Sequence, residues 1–430
     1  MADLIWPFEG LPAGIEAFFA LALALIVVLM VWTASLLVRG LRAARRAPPA
    51  GDPDEFEWVF LVPALNEEVT IRDSVERLLA LELSRRRIVV IDDGSDDATA
   101  AILAELEHPD LVVIHRKAPD ARQGKAEALN HAYRELGRML GAADRSRVVV
   151  AIVDADGRLD PDAPRYAAAH LADDDVGGVQ CLVRIYNREH PLAWFQDVEF
   201  AIYGRLFQAG RNGYGTAGMG GNGQFNRLSA LDRVSDHGGP WRDRLTEDQD
   251  LGLRLVADGW RGRQELRARV DQQGLNRLRP LFRQRTRWSQ GNLQAIGLAG
   301  AVARAPFGRV ARAELLLQLL MPLWQAIVGL ALVLAIVLAI TGVAPFWNDG
   351  PWWQLVFFLV LGFGGVVFGC IAARAQDGAR GWAEGIAIAP AYAIYSWMLW
   401  PVLARSAGRQ LVERRDWAKT EREPVEPAPS

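Results

Sequence analysis

RIVVIDDGSDD, residues 87–97, contains an apolar run, residues 88–91, that two aspartates and a glycine follow directly. A run of this length, bounded by a turn signal, is typical of a strand that is buried on both faces. Gly94 suits the turn that ends it, because glycine adopts backbone angles that other residues avoid. The stretch therefore predicts a strand from whose end Asp92 and Asp93 leave the sheet.

Short apolar runs alternate with segments of helical spacing on both sides of this strand, from about residue 50 to 155. The predicted strands are EWVFLVPAL, LVVIHR and RVVVAIVDAD, and the predicted helices are GKAEALNHAYRELGRML and NEEVTIRDSVERLLAL, the latter with Asn66 as its N-cap. This order predicts a parallel sheet with helices on both faces, a Rossmann-like α/β layout. Ligands of such sheets bind at the carboxyl ends of the strands, where both acidic pairs, DD and DAD, are expected.

Apolar runs flank this charged middle part. Over the whole chain, 51% of the residues are hydrophobic. Ala17 to Val38 is 22 residues long without a charge, which is enough to cross a bilayer core of about 30 Å. Acidic rather than basic residues precede it, so we expect an anchor and not a signal peptide. Arginines follow it directly, which predicts an external N-terminus and a cytoplasmic middle part.

Three further apolar runs, 315–341, 355–373 and 385–403, create a conflict of orientation. Three full crossings would leave the C-terminus outside, yet basic residues follow the last run and favour the inside. Either that run, which Pro390 and Pro401 interrupt, lies in the interface or re-enters, or the basic tail is a local exception.

Composition excludes some classes of partner and site. The net charge is -3 and no segment forms a basic domain, so nucleic acid is not an expected partner. The two cysteines, Cys181 and Cys370, imply neither a disulfide framework nor a cysteine zinc site.

The acidic motifs at the two strand ends predict a site for a nucleotide and its metal. In DAD, Asp154 and Asp156 can place two oxygens near one Mg²⁺ or Mn²⁺ that bridges a diphosphate. Alone, DAD is more often a solvated turn or helix cap, and DDGS alone is more often a strand-ending turn. Two such clusters that converge on one crevice favour the functional interpretation.

Two further motifs place charged residues at predicted helix starts. Lys125 of QGKAEALN can pair with a phosphate or a base carbonyl, although alone it would be interpreted as an exposed helix lysine. TED, residues 246–248, begins another helical pattern, in which its carboxylates could simply cap the helix. The functional alternative is a general base, because an inverting sugar transfer needs a carboxylate to take the proton of the attacking hydroxyl.

Six motifs follow one another as in the membrane-bound family 2 glycosyltransferases, the group of cellulose, hyaluronan, chitin and poly-N-acetylglucosamine synthases: VPALNEE, IDDGSDD, GKAEALN, DAD, TEDQDLGLRL and QRTRW. The chain resembles this family over about residues 60 to 310. The resemblance implies an α/β domain of the GT-A fold, a UDP-sugar donor, Mg²⁺ or Mn²⁺ as the metal, and inversion at the anomeric carbon.

The resemblance also implies a role for each matching residue. The nucleotide-sugar site would comprise Pro63, Asn66, Glu67, Asp92, Asp93, Lys125 and Asp154. The metal would bind Asp154 and Asp156, and the catalytic base would be Asp248, with Glu247 beside it. The side facing the diphosphate and the acceptor would comprise Gln284, Arg287 and Trp288, which match the family's Gln-x-x-Arg-Trp.

The arginine and the tryptophan of this last motif have two physical interpretations. Arg287 can stabilise the leaving diphosphate, and the ring of Trp288 can offer an apolar face to a sugar. The alternative is an interfacial amphipathic helix that arginine and tryptophan anchor. Both interpretations can be true at once, because a lipid acceptor would reach a catalytic motif on an interfacial helix directly from the membrane.

The expected organisation places a catalytic domain between membrane segments. It comprises an N-terminal transmembrane anchor (1–45), a GT-A catalytic domain (50–275), an interface helix region with the QRTRW motif (276–310), C-terminal transmembrane segments (311–405) and a basic, then disordered tail (406–430). We expect a multi-pass protein of the inner (plasma) membrane with a cytoplasmic catalytic domain.

Two kinds of acceptor fit the resemblance. GMGGNGQFNRLSALDRV, VERRDWAKTER and GLNRLRPLFRQRTRWSQGNLQ look more like the beta-monoglucosyldiacylglycerol synthases of the family than the cellulose synthases, which favours transfer from UDP-glucose to a membrane lipid such as diacylglycerol. A processive polysaccharide synthase is the alternative. An inactive nucleotide-binding membrane scaffold is a third, against which the full motif set argues. The sequence leaves protein partners undetermined.

Overall fold

The computed structural model describes residues 8, 10–236, 238–344, 352–375 and 380–412, with an eight-stranded sheet at the centre of the domain that follows the first helix. The strands are β1 (Glu57–Ala64), β2 (Arg86–Asp92), β3 (Leu111–His115), β4 (Val148–Ile152), β5 (Arg158–Leu159), β6 (Val176–Ile185), β7 (Gln224–Arg227) and β8 (Arg261–Gln272). Their order across the sheet is β3-β2-β1-β4-β7-β6-β8-β5.

The α-helices precede, cover and follow this sheet. They are α1 (Ala13–Arg45), α2 (Ile71–Leu79), α3 (Thr99–Ala104), α4 (Lys125–Met139), α5 (Ala163–Leu171), α6 (Pro191–Ile202), α7 (Ala209–Arg211), α8 (Leu228–Val234), α9 (Glu247–Asp258), α10 (Leu278–Ala295), α11 (Ala299–Arg304), α12 (Arg309–Leu319), α13 (Met321–Ile340), α14 (Trp352–Arg374), α15 (Gly381–Ser396) and α16 (Leu399–Leu411). A π-helix, Tyr203–Gln208, joins α6 to α7, and short 3-10 helices form at Pro53–Glu55 and Ile296–Leu298.

The first four strands are parallel, as the alternation of apolar and helical segments predicts. β1 lies between β2 and β4, and the register pairs Leu61 with both Val89 and Ile152. One apolar cluster joins the sheet to α2 and α5 on one face, and a second joins it to α4, α8 and α9 on the other. Strands buried on both faces need continuous apolar runs, which explains why IVVI and VVVAI lack polar residues.

The other half of the sheet is mixed. β7 is antiparallel to both β4 and β6, whereas β8 runs parallel to β6. The register of β6 and β8 jumps from the pair Gln180–Gln264 to the pair Leu182–Arg269, so residues 265–268 bulge out of the ladder. The alternation that predicts the parallel half ends near residue 155 and carries no information on this half.

Two predicted helix starts are confirmed, since α4 begins at Lys125 and α9 at Glu247. The predicted N-cap at Asn66 is wrong, because α2 begins only at Ile71. Asn66 lies in the preceding loop with a positive φ of 54°, and its side-chain amide bonds to Asp96 of the facing loop as donor (2.6 Å) and acceptor (2.9 Å). Asparagine tolerates this backbone conformation better than most residues, so it joins two loops instead of capping a helix.

The first helix contacts the sheet domain at one end and apolar helices at the other. Gly40 packs so closely on the π-helix that a Cβ there would lie 2.6 Å from the carbonyl oxygen of Arg205. Buried Glu314 of α12 accepts hydrogen bonds from Trp32 of α1 (3.3 Å) and Arg211 of α7 (2.9 Å). The first turns of α1 share an apolar cluster with the last turns of α13, so these two helices are antiparallel.

Three segments are long and apolar enough to cross a membrane: Ala13–Arg45, Met321–Ile340 and Gly381–Leu411, the last of which combines α15 and α16. Val360–Arg374, within α14, is a shorter apolar helix. These segments account for the four apolar runs that the sequence contains.

The last two helices contact the sheet domain. The hydroxyl of Tyr395 in α15 donates to Glu199 of α6 (2.7 Å), and Ser406 of α16 bonds to Ser289 of α10 (2.8 Å). The helical conformation continues to Leu411, past the predicted start of the tail at residue 406. Residues 413–430, which include the stretch EREPVEPAPS (421–430) that was predicted to be disordered, lie outside the described residues.

Candidate active site

The carboxyl ends of the parallel strands carry the predicted acidic pairs, and the first turns of α4 and α9 face them. Asp92 is the last residue of β2, and Asp154 follows β4. Nζ of Lys125, at the start of α4, lies 2.6 Å from Oδ1 of Asp154 and 3.8 Å from Oε1 of Glu247, at the start of α9. Three motifs that are far apart in the sequence therefore meet in one crevice.

The two aspartates of IDDG are held by residues at the end of β3. Asp92 Oδ1 accepts a hydrogen bond from the N–H of Ser95 (2.9 Å), and its Oδ2 lies 2.9 Å from Nδ1 of His115. The buried carboxylate of Asp93 pairs with the buried guanidinium of Arg116. Burial raises the pKa of Asp93, although hydrogen bonds and the Arg116 charge act against it. His115 and Arg116 therefore fix the positions of both aspartates.

Lys125 is the electrostatic centre of the crevice. Burial acts to lower its pKa, but the charges of Asp154 and Glu247 outweigh burial and raise that pKa above its ordinary value. The ammonium group thus stays protonated and can meet an incoming phosphate. Gly124, with a φ of +107°, turns the chain into α4, whose N-terminal amides also favour an anion.

Asp154 and Asp156 present the oxygen donors that hard divalent cations prefer. Asp154 is half-buried, whereas Asp156 is buried and its Oδ2 accepts a hydrogen bond from the N–H of Gln273 (3.1 Å). Among the described residues, no group of three His, Cys, Asp or Glu side chains could hold a metal by itself. Two carboxylates nevertheless fit a cation such as Mg²⁺, which usually takes its other ligands from substrate phosphates and water.

Asp248, the predicted base, lies in the first turn of α9 and accepts a hydrogen bond from the N–H of Gln249 (2.8 Å). Burial and the neighbouring Glu247 charge raise the pKa of Asp248 to about 7. A loop glycine makes room for its other oxygen, since a Cβ on Gly221 would lie 2.8 Å from Oδ2. A carboxyl group with a pKa near 7 is suited to act as a general base near neutral pH.

Helix α10 brings the QRTRW motif to the same crevice. Gly291 of α10 packs against Thr246, and Nη1 of Arg287 lies 3.4 Å from the carbonyl oxygen of Leu245. Arg287 forms no salt bridge with another described residue, and its positive charge lowers the pKa of nearby Asp248 in opposition to burial. The Arg287 side chain is therefore close to the predicted base.

The first arginine of the motif, Arg285, for which the resemblance implies no role, fixes its neighbours. Arg285 donates to Oε1 of Gln284 (2.7 Å) and to Oε2 of Glu199 (2.7 Å), and its guanidinium lies 4.2 Å over the ring of Trp288. Phe200 meets the same indole edge-on, with 6.0 Å between ring centroids. Part of the Trp288 ring is therefore covered by the protein, and only the remainder can meet a ligand.

The three predicted nucleotide-site residues of VPALNEE lie in β1 or just after it. Pro63 pairs in register with Ile91 of β2, which places it one residue before the strand end. Glu67 is buried, and its Oε2 accepts a hydrogen bond from the hydroxyl of Thr70 (3.3 Å). These residues lie beside the IDDG turn, where Asn66 bonds to Asp96 and Glu67 accepts the hydrogen bond of Thr70.

Besides Arg285, four residues of the site were not predicted from the motifs. His115 and Arg116 end the predicted strand LVVIHR, and the register pairs His115 with Asp92, so the rule for strand ends could have found them. Gly221 and Asn222 lie in the GGNG loop, where Oδ1 of Asn222 accepts a hydrogen bond from the N–H of Asp154 (3.1 Å). No sequence signal predicts that this loop meets DAD.

A sheet with acidic strand ends, a lysine at a facing helix start and a flanking carboxylate defines the class as a GT-A glycosyltransferase domain. The family model described as glycosyltransferase like family 2 matches residues 57–291, which is more than half of the chain. The chain belongs to this family, as the order of its motifs predicts.

Two curated relatives and one solved structure extend the comparison. The chain is 32% identical over 284 residues to a beta-monoglucosyldiacylglycerol synthase of Synechocystis sp., covering 62% of this chain and 56% of that protein. It is 29% identical over 263 residues to a poly-beta-1,6-N-acetyl-D-glucosamine synthase of Staphylococcus aureus, covering 60% of each. The match thus spans less than two thirds of these relatives. A mannosyltransferase from Pyrobaculum calidifontis, solved with GDP-Man and Mn²⁺, shares the fold with a TM-score of 0.59 over 92% of this chain and all of that one, at 21% identity.

Proposed function

We propose that the chain is an inverting, metal-dependent hexosyltransferase that moves a sugar from a UDP-sugar to a membrane lipid. The observation that carries the proposal is the meeting of Lys125, Asp154 and the first turn of α9 in one crevice, with Arg287 at its edge. A positive charge held between carboxylates suits a sugar diphosphate. The adjacent carboxylate of Asp248 suits a base.

The donor would bind across the strand ends. Asp92 and Asp93, held by the end of β3, would contact the uridine, and Lys125 would contact a phosphate. Asp154 and Asp156 would hold the divalent cation, which neutralises the diphosphate when it is bound. The hydrogen bond from Asn222 of the GGNG loop would keep the DAD turn in place.

The transfer step would use the carboxylate at the start of α9. Asp248 accepts the proton of the acceptor hydroxyl while the hydroxyl oxygen forms a bond to the anomeric carbon, and the bond from that carbon to UDP breaks with inversion. Arg287, which has no salt bridge among the described residues, stabilises the charge that develops on the diphosphate. The raised pKa of Asp248 matches this role because the group can both accept and release a proton near pH 7.

A lipid acceptor is favoured by the contacts of the acceptor side. Helix α10, which carries Trp288, packs on α16, and Arg285 links it through Glu199 to Tyr395 of α15. The similarity to a beta-monoglucosyldiacylglycerol synthase makes UDP-glucose the proposed donor and diacylglycerol the proposed acceptor. The similarity to a poly-beta-1,6-N-acetyl-D-glucosamine synthase supports a polysaccharide acceptor as the second candidate.

We also infer three membrane crossings, by α1, α13 and the 23-residue α14, with α15 and α16 at the cytoplasmic interface even though Gly381–Leu411 is long and apolar enough to cross. Helix α14, like α1, ends at the sheet domain, where Arg205 donates to the carbonyl oxygen of Ala373. Tyr395 and Ser406 then contact the same domain, so α15 and α16 would stay on its side of the membrane. The basic residues of α16 would thus be cytoplasmic, in agreement with the positive-inside rule.

The test is a transfer assay with the full chain in lipid, Mg²⁺ or Mn²⁺, and a panel of radiolabelled UDP-sugars, with and without diacylglycerol. We expect label in a chloroform-soluble monoglycosyl lipid that depends on diacylglycerol and disappears when EDTA removes the metal. Label that stays at the origin and grows without added lipid would identify a polysaccharide synthase. No transfer from any donor to any acceptor would refute the proposal and favour an inactive scaffold.

A further inference from the structure

A large cavity lies where the end of α1 meets the sheet domain, and none of the predicted site residues lines it. Its volume is about 540 Å³, and its walls come from the last turns of α1 and the loop that follows, from α5, from residues 212 and 213, and from the first half of β8. A cavity of this size can hold a small molecule or the headgroup of a larger one.

The cavity is strongly basic. Among the described residues, five arginines line it, Arg39, Arg42, Arg46, Arg263 and Arg267, against two acidic residues, Asp173 and Glu265. Guanidinium groups in such a cluster favour ligands that carry phosphate, because they donate paired hydrogen bonds to its oxygens.

Both carboxylates of the cavity are already paired. Glu265 accepts hydrogen bonds from Nε (2.9 Å) and Nη2 (2.7 Å) of Arg267. Asp173 lies 3.2 Å from a guanidinium nitrogen of Arg261 and 3.7 Å from one of Arg263. Neither carboxylate therefore neutralises the arginines of α1.

Arg39 and Arg42 of α1, together with Arg46 directly after the helix, form one face and have few partners. Arg39 stacks on the ring of Tyr214 at 4.3 Å, and this contact leaves its donors available. The guanidinium groups of Arg42 and Arg46 form no salt bridge and no hydrogen bond within the described part of the chain. Arg45, on the same helix, does not line the cavity.

The position of the cavity along α1 matches the headgroup layer of a membrane. The uncharged run of α1 ends at Val38, so Arg39 stands directly at its end. Arg42 and Arg46 lie about 4 and 10 Å further along the axis, at a rise of about 1.5 Å per residue. The headgroup layer on each side of a bilayer core is roughly 5 to 7 Å thick. If α1 crosses the membrane, Arg39 and Arg42 therefore lie at the depth of the lipid phosphates, and Arg46 lies just beyond them.

The sheet domain contributes the bulge of β8 to the wall of the same cavity. The bulge at residues 265–268 interrupts the β6–β8 ladder, and it carries Glu265, Leu266 and Arg267 to the cavity wall. Arg267 of the bulge donates to the carbonyl oxygen of Pro48, just after α1. Bulges often redirect side chains next to binding sites, and this one ties the end of α1 to the domain.

We propose that this cavity binds the phosphate headgroup of an anionic phospholipid at the cytoplasmic end of α1. The proposal requires α1 to cross the membrane but does not depend on the transfer reaction. Diacylglycerol, the proposed acceptor, carries no phosphate and is not the ligand of this cavity. A bound headgroup would neutralise the exposed arginine face and hold the domain against the membrane surface.

The test compares three single-charge variants of the full chain, purified in a non-ionic detergent. Native mass spectrometry measures binding of phosphatidylglycerol to Arg42→Gln, Arg46→Gln and the matched control Arg45→Gln, which removes the same charge outside the cavity. We expect affinity to fall about tenfold for each of the first two, as is typical of a lost charge-assisted hydrogen bond, and less than about twofold for the control. We also expect phosphatidylcholine to bind at least about tenfold more weakly.

Equal losses in all three variants would overturn the proposal, because they would indicate diffuse attraction to a basic helix end. Equal binding of phosphatidylcholine and phosphatidylglycerol would also overturn it. Soluble glycerol 1-phosphate provides a separate arm: if it protects the chain from thermal unfolding as well as phosphatidylglycerol does at the same concentration, the site serves a free phosphate compound and not a lipid. Unchanged UDP binding in each variant would verify that the sheet domain is intact.

Discussion

Replacement of Gly221 by alanine is expected to harm the transfer reaction more than the fold. Gly221 has a φ of +82°, a conformation that costs a residue with a Cβ about 1–2 kcal/mol. The new methyl group would lie 2.8 Å from Oδ2 of Asp248. Non-bonded heavy atoms normally stay about 3.5 Å apart, so the carboxylate must move by more than about half an ångström.

A displacement of this size is large for a catalytic group, since about 1 Å can cost about a hundredfold in rate. We therefore expect Gly221→Ala to lower kcat by about ten- to a hundredfold and to change UDP affinity less than about threefold. Initial rates of radiolabel transfer at saturating donor measure the first quantity, and calorimetry with UDP measures the second. Gly220→Ala is the matched control, because its Cβ would have its nearest neighbour at 3.6 Å and needs no positive φ.

Wild-type kcat in both variants would refute the reasoning, since the reaction would then tolerate displacement of Asp248. A joint loss of kcat and UDP affinity would point to a different cause. The GGNG loop also contacts the DAD turn through Asn222, so movement of the whole loop would disturb donor binding as well. A melting temperature of Gly221→Ala close to that of the wild type would show that the variant is folded and that its kinetic changes arise in the site.

Four further predictions test other parts of the site. Asp248→Asn is expected to reduce transfer by about a thousandfold, the size of a general-base contribution, with UDP binding unchanged by calorimetry. The wild-type rate is expected to rise with pH through about 7 and then level off, because only ionised Asp248 can accept a proton; a flat profile from pH 5 to 9 would contradict this. Trp288→Ala is expected to raise the KM for acceptor more than it lowers donor hydrolysis, and equal losses would move Trp288 to the donor side. Arg116→Lys is expected to weaken UDP binding about tenfold, because lysine lacks the planar fork that joins Asp93 to the carbonyl oxygen of Asp120; unchanged affinity would exclude Arg116 from the nucleotide site.

The sequence by itself determined the parallel half of the sheet and the class of the protein. A strand buried on both faces needs an uninterrupted apolar run, and residues 88–91 and 148–152 satisfy this need without help from distant residues. The starts of α4 and α9 are equally local, because a helix start depends on the first turn and its immediate neighbours. Six motifs in one order identified the glycosyltransferase family, which the comparison confirmed.

Local patterns failed where a side chain had a choice of distant partners. Asn66 has the chemistry of an N-cap, but Asp96 in the facing loop offered both a donor and an acceptor, and the helix begins five residues later. The mixed half of the sheet was beyond prediction for the same reason, since β7 lies between β4 and β6, two strands that are distant from it in the sequence.

Only the tertiary structure decided which groups meet. Lys125 touches Asp154 and approaches Glu247, Gly221 lies against Asp248, and the arginine face of α1 closes a cavity with the bulge of β8. Periodicity reports how each segment is buried, and a motif reports which chemistry a residue can perform. The distance between two side chains, and the pKa that results from it, depend on how the whole chain packs, which neither of these local signals contains.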